Sequence, residues 1–116
     1  MKVETTLHTN GSSLWSSKSK AVRITELRVI DFTYEDEAYG ELRVFFDKND
    51  WNCDCDGDIY TDDLFVKELK AYLTSIGIDA SDTGYSEYGM QGNSYVGLDV
   101  GPKFMASWKQ KVTVEA

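Results

Sequence analysis

At Thr61 the apolar residues of this chain change their period, and that change limits what it can fold into. From Ala21 to Tyr34 the side chains Val22, Ile24, Ile30, Phe32 and Tyr34 recur at even spacings, and Leu42, Val44 and Phe46 do the same between Glu41 and Asp47. A period of two is that of a strand with one face buried. From Thr61 to Ile76 the spacing becomes helical, with Phe65, Leu69, Tyr72, Leu73 and Ile76 on one stripe and Lys67, Glu68 and Lys70 outside it. A strand pair followed by an amphipathic helix predicts an α+β fold, with a small antiparallel sheet and one main helix over 61–76 packed on one of its faces.

Local chemistry supports these elements. Glu35-Asp36-Glu37-Ala38-Tyr39-Gly40 supplies a turn, so the two strands form an antiparallel hairpin. Leu27 and Val29 fall out of phase with Val22 and Ile24, which implies a bulge near Glu26 or partial cover on both faces. Thr61 is placed to cap the helix, Asp62 and Asp63 suit the positive end of its dipole, and Gly77 is placed to end it. Further strands are expected from Met1 to Thr9, with Val3 and Leu7 inward, and from Tyr95 to Val100, after which Gly101-Pro102 breaks the chain. Lys103 to Trp108 reads as a helical turn or a strand, and the aligned Val112 and Val114 read as a last strand from Lys109 to Glu115. The sheet therefore has four or five strands.

All 116 residues fit one domain, and 41% hydrophobic residues suffice for an ordinary core. Residues 10–20 form a Ser/Gly-rich loop carrying Leu14 and Trp15, and residues 47–63 form a long acidic loop between strand and helix. No stretch approaches the roughly 18 apolar residues of a membrane span, and the first residues lack a signal-peptide core, so a cytoplasmic protein is expected. Cys53 and Cys55 are too close for an unstrained disulfide, and with His8 as the one histidine they are too few for a zinc site.

Charge narrows the function. The formal net charge is −8, and residues 31–63 hold twelve acids against Arg43 and Lys48. Such a chain disfavours direct nucleic-acid or anionic-membrane binding and favours a basic protein partner. Catalysis lacks the usual groups: His8 stands alone, no Gly-rich phosphate loop follows a strand, and three adjacent acids in a turn are ordinarily solvated. The aspartates around Cys53 and Cys55 suppress their thiolates. An enzyme is not expected.

Asp54, Asp56 and Asp58 repel one another in any compact loop and need a cation, a basic partner or open water. Against a basic partner, Asp50, Asp54, Asp56, Asp58, Asp62 and Asp63 together with Glu35, Asp36 and Glu37 stand in for phosphate charges, as in a DNA mimic. Trp51 and Tyr60 supply apolar anchors. A second candidate surface is Tyr85, Tyr88 and Met90, in a segment punctuated by Gly89 and Gly92 and running on through Gln91 to Tyr95.

Residues Asn52 to Asp63 resemble an EF-hand calcium loop. That resemblance places Asn52, Asp54 and Asp56 as side-chain ligands, Gly57 at the sharp turn, Asp58 as a carbonyl ligand and Asp63 at the last position. Three features depart from the pattern: Asn52 replaces the usual first aspartate, Asp63 replaces the bidentate glutamate, and a strand enters the loop. They imply modest calcium affinity, so the expected cofactor is none or calcium.

In small size, local acidity, aromatic richness and absent catalytic groups the chain resembles in type the phage-encoded anti-CRISPR and anti-restriction inhibitors and the immunity proteins that neutralise nuclease toxins. The likeness is one of profile, with no residue motif behind it. The function it implies is inhibition of a basic, nucleic-acid-binding protein by a non-catalytic acidic binder. The alternatives are a calcium-binding module at 52–63 and a structural subunit of an assembly.

Overall fold

The computed structural model describes residues 1–9, 20–32, 38–46, 63–84 and 95–115. Four strands, β1 (Lys2–Thr9), β2 (Lys20–Asp31), β3 (Gly40–Phe46) and β4 (Tyr95–Val100), form one antiparallel sheet in the order β1-β2-β3-β4. Two helices complete an α+β fold, α1 (Asp63–Ser75) between β3 and β4 and α2 (Pro102–Glu115) after β4.

The sheet follows the binary pattern with one shift of phase. Pairing of β2 slips between Ile24 and Glu26, against β3, which is the bulge, one of the two readings that the sequence allows near Glu26. Val22 and Ile24 are buried before the slip, Leu27 is buried after it, and Val29 packs against the core, while Phe32 is 44% exposed. The bulge exchanges the two sets: Ile30 and Phe32, read as inward partners of Val22 and Ile24, lie on the opposite face, because one extra residue reverses every later side chain. Inward rows then run straight across the sheet, Leu27–Val44–Val96 and Val29–Leu42–Leu98. These rows share one buried cluster with Phe65, Val66, Leu69 and Leu73 of α1 and with Phe104, Met105 and Trp108 of α2.

The helix ends have identifiable causes. Gly77 adopts φ +88°, the Ile78 amide donates to the Leu73 carbonyl (2.9 Å) and the Gly77 amide to that of Thr74 (3.1 Å), which is a Schellman closure of α1. Both Leu73 and Ile78 are buried, supplying the apolar contact that accompanies such a closure. At the start of α2, the carboxylate of Asp82 accepts from the amides of Lys103 (2.7 Å) and Phe104 (3.0 Å) and so caps the helix from another part of the chain. Gly40 lets β2, β3 and α2 approach one another, since a Cβ there would strike the Ile30 carbonyl oxygen and lie 3.0 Å from the Met105 sulfur.

One expected element is corrected. Lys109 to Glu115 is not a strand; it continues the helix that begins at Pro102. The alternation of Val112 and Val114 suggested strand, but Phe104, Met105, Trp108 and Val112 lie at spacings that a single helix can present together. Pro102 occupies the first helical position, where its missing N–H costs nothing. It ends β4 and opens α2 at once. Among the described residues no helix is long and apolar enough to cross a membrane.

Candidate functional site

Strand register fixes where the candidate segments join the sheet. Thr9 and Lys20 pair at one end of the β1–β2 ladder, Phe46 pairs with Ile24, and Phe45 pairs with Tyr95. The stretches 10–19 and 47–62 therefore join the sheet at this end, and 85–94 enters β4 there, although it leaves from Gly84, whose amide donates to the Asp99 carbonyl (2.7 Å) near the opposite end. The acidic stretch leaves β3 after Phe46, and the tyrosine-rich stretch enters β4 at Tyr95 on the neighbouring strand, about 5 Å away in the pairing direction. Residues 33–37 join at the other end, beyond the Asp31–Gly40 pair. That end is roughly 20 Å along β3.

Most of the residues singled out from the sequence lie outside the described residues. These are Asp50, Trp51, Asn52, Asp54, Asp56, Asp58, Tyr60 and Asp62, the turn acids Glu35, Asp36 and Glu37, and Tyr85, Tyr88 and Met90, together with Cys53, Cys55 and Thr61. Asp63 is described through its backbone, as the first residue of α1. Among the described residues no group of three His, Cys, Asp or Glu side chains is arranged to hold a metal ion.

Beside the shared end, the outward face of the sheet carries a ladder that the sequence reading missed. Arg28 and Arg43 stand directly opposite each other on β2 and β3, an arrangement that like charges disfavour. Each guanidinium is compensated twice. Arg28 donates from Nε and Nη2 to Glu26 (2.8 and 3.1 Å) and lies 4.8 Å from the centre of the Phe45 ring. Arg43 donates from Nε to Glu41 (2.7 Å) and lies 4.8 Å from the centre of the Tyr95 ring. The two rings are tilted together at 5.2 Å, so the whole row is continuous across three strands. The available signal was the spacing of two in Glu26/Arg28 and Glu41/Arg43, which places each pair on one face of its strand.

These contacts move the titrations in the expected directions. The Arg28 fork holds the Glu26 carboxyl down to about 2, with Lys2 Nζ at 3.2 Å adding to it against the opposing effect of burial. The carboxylates of Glu26 and Glu41 in turn raise Arg28 and Arg43. Elsewhere, the hydroxyl and amide of Ser81 donate to Asp79 and lower it.

His8 is placed by β1 against α1, with Nδ1 2.9 and 3.0 Å from the two carboxylate oxygens of Glu68. A histidine oriented by a carboxylate is two-thirds of a nucleophilic relay. Among the described residues only Glu68 bonds to the ring, and the pair ties the edge strand to the helix. No protein-family model matches the chain, and no curated protein or solved structure is similar enough to match it.

Proposed function

We propose that the chain is a non-catalytic acidic binding protein that covers a basic, nucleic-acid-binding surface of a partner protein in the cytoplasm, in the manner of phage inhibitors and toxin-immunity proteins. One observation carries the reading: the acidic stretch and the tyrosine-rich stretch join adjacent strands at one sheet end, at Phe46 and Tyr95. The acidic stretch and the Tyr95 end of the tyrosine-rich stretch thus enter the fold from neighbouring points, while Tyr85 follows Gly84 near the other end of β4. Carboxylates at 50, 54, 56, 58, 62 and 63 steer the encounter, and Trp51, Tyr60, Tyr85, Tyr88 and Met90 hold it once formed. Glu35, Asp36 and Glu37, which join at the far end, form a secondary contact or widen the negative field.

The test compares the wild-type chain with an Asp54→Lys/Asp56→Lys/Asp58→Lys variant, by capture from a host lysate and then by association kinetics with the captured partner at low and high salt. The expected result is a basic partner whose association rate falls at least ten-fold with the triple reversal and falls steeply with salt. Equal binding by both proteins would overturn the proposal. The EF-hand-like spacing of Asn52, Asp54, Asp56, Asp58 and Asp63 supports a second reading, as a calcium site. A melting temperature that rises in calcium but not in matched magnesium would favour it.

A further inference from the structure

The outward face of the sheet carries one pattern twice in full and a third time in part. Arg28 lies over the Phe45 ring and donates to Glu26, and Arg43 lies over the Tyr95 ring and donates to Glu41. In both, a guanidinium fills the space between an aromatic ring and a carboxylate. Nearer the Asp31–Gly40 end of the same face, the ring is Tyr39 and the carboxylate is Asp99. Glu41 pairs with Asp99, so Tyr39, two positions before Glu41, is the diagonal neighbour of Asp99 on the adjacent strand. Diagonal neighbours stand roughly 7 Å apart, which leaves room for a guanidinium between them. Among the described residues no arginine or lysine bonds to Asp99 or lies over Tyr39.

The surroundings leave that place open. Tyr39 is 41% exposed, Phe32, whose amide donates to the Tyr39 carbonyl (2.9 Å), is 44% exposed, and Asp99 is exposed. Along β4, the neighbours of Asp99 on its own face are Gly97 and Gly101. The carboxylates of Glu41 and Asp82 lie against these glycines, where an added Cβ would come within 2.9 Å of Glu41 Oε1 and 2.6 Å of Asp82 Oδ2. Both carboxylates are engaged, Glu41 by Arg43 and Asp82 by the Lys103 and Phe104 amides. Asp99 also stands directly opposite Glu41, an arrangement that like charges disfavour. This part of the face therefore offers a carboxylate and two exposed rings, with no cation of its own among the described residues.

We propose that this place receives an arginine side chain from a partner protein, which stacks on Tyr39 and donates to Asp99. The occupant follows from the two completed copies of the pattern beside it. A planar guanidinium covers a ring while its edge donates to a carboxylate, as Arg28 and Arg43 do, whereas the compact ammonium of lysine does one or the other. The inference rests on the reading of the chain as a binder of a basic protein. It gives that partner a second contact, at the sheet end opposite the one where the acidic stretch leaves β3.

The test titrates the full chain with the peptide acetyl-Gly-Ser-Arg-Ser-Gly-amide and with its citrulline counterpart, which keeps the shape and loses the charge. Amide shifts are followed by NMR at constant ionic strength. Expected are saturable shifts at Tyr39 and Asp99, with binding about ten-fold weaker for the citrulline peptide and for Asp99→Asn and Tyr39→Ala. Both side chains are exposed, and Asp99→Asn leaves the shape unchanged, so folding is not at stake in that variant. Binding is expected to persist in the Asp54→Lys/Asp56→Lys/Asp58→Lys variant. Equal binding of the citrulline peptide, shifts confined to other residues, or indifference to Asp99→Asn would overturn the inference. Loss of binding in the triple reversal with Asp99→Asn unaffected would overturn it too, while leaving the acidic stretch as the element that meets a basic partner.

Discussion

Glu26 holds two cations on the outward face of the sheet, and linkage gives the sign of what this does to stability. Its carboxyl is ordinarily near 4.5 and is pulled to about 2 in the fold, by the Arg28 fork first and Lys2 second. A depressed carboxylate contributes stability that is fully present above the unfolded value and lost as pH falls through the folded one. Glu26→Gln should therefore lower stability at neutral pH and flatten its decline between about pH 4.5 and about pH 2. Parallel acid-unfolding curves for the variant and the wild type would contradict this. Thr83 poses the opposite case: its hydroxyl is buried, 6% exposed as a residue, and has no hydrogen-bond partner among the described residues. Thr83→Val removes the unsatisfied oxygen at nearly constant shape and should stabilise the fold by about 1 kcal/mol in denaturant titrations. A loss of stability there would mean that the hydroxyl is satisfied in solution.

At the scale of elements, both helices depend on contacts just outside their own hydrogen-bond ladders. Asp82 satisfies two amide donors of α2 from 21 and 22 positions earlier in the chain. Asp82→Ala should cost about 1 kcal/mol, with Asp82→Asn losing less because one acceptor remains; an unchanged unfolding midpoint for the alanine variant would sink the assignment. Gly77→Ala places a Cβ in the left-handed region and should cost about 1 kcal/mol, although nothing crowds the site. Gly77 was legible from its position after the apolar stripe of α1. The Asp82 cap was not, because no local spacing announces a partner so far away. The same distinction separates the strands from α2. Leu42, Val44 and Phe46 alternate cleanly over β3, whereas α2 buries Phe104, Met105 and Trp108 and leaves Val112 exposed, so its last turns carry too little apolar periodicity to reveal a helix. The break of phase near Glu26 was legible, but a bulge and cover on both faces explained it equally until the register with β3 decided for the bulge. Which half of β2 faced inward was not, since only pairing with β3 decides it.

Over the whole molecule, the described ion pairs use acids such as Glu26, Glu41 and Asp31, all on the sheet. Of the candidate site, the sequence made the composition legible, and the register of β3 and β4 adds that two of its segments join the fold side by side. The side-chain geometry of Asp50 to Asp62 lies outside the described residues, and charge spacing alone does not supply it. What the charge does supply is a thermodynamic expectation for the free protein. Residues 31–63 carry twelve acids against two bases, of which Asp54, Asp56 and Asp58 stand at alternate positions, and the chain as a whole is −8. Repulsion of that kind opposes the compact state and is screened once the Debye length falls from about 30 Å at 0.01 M salt to about 8 Å at 0.15 M. The melting temperature should therefore rise with sodium chloride over that range. Asp54→Asn/Asp56→Asn/Asp58→Asn should raise it at low salt and reduce its salt dependence, while slowing association with a basic partner. Under the proposed function both effects have one cause, since charge that steers a partner also strains the free fold. A melting temperature that falls on adding salt would show that attraction inside the fold outweighs repulsion. The acidic stretch would then be neutralised within the protein itself rather than held ready for a partner.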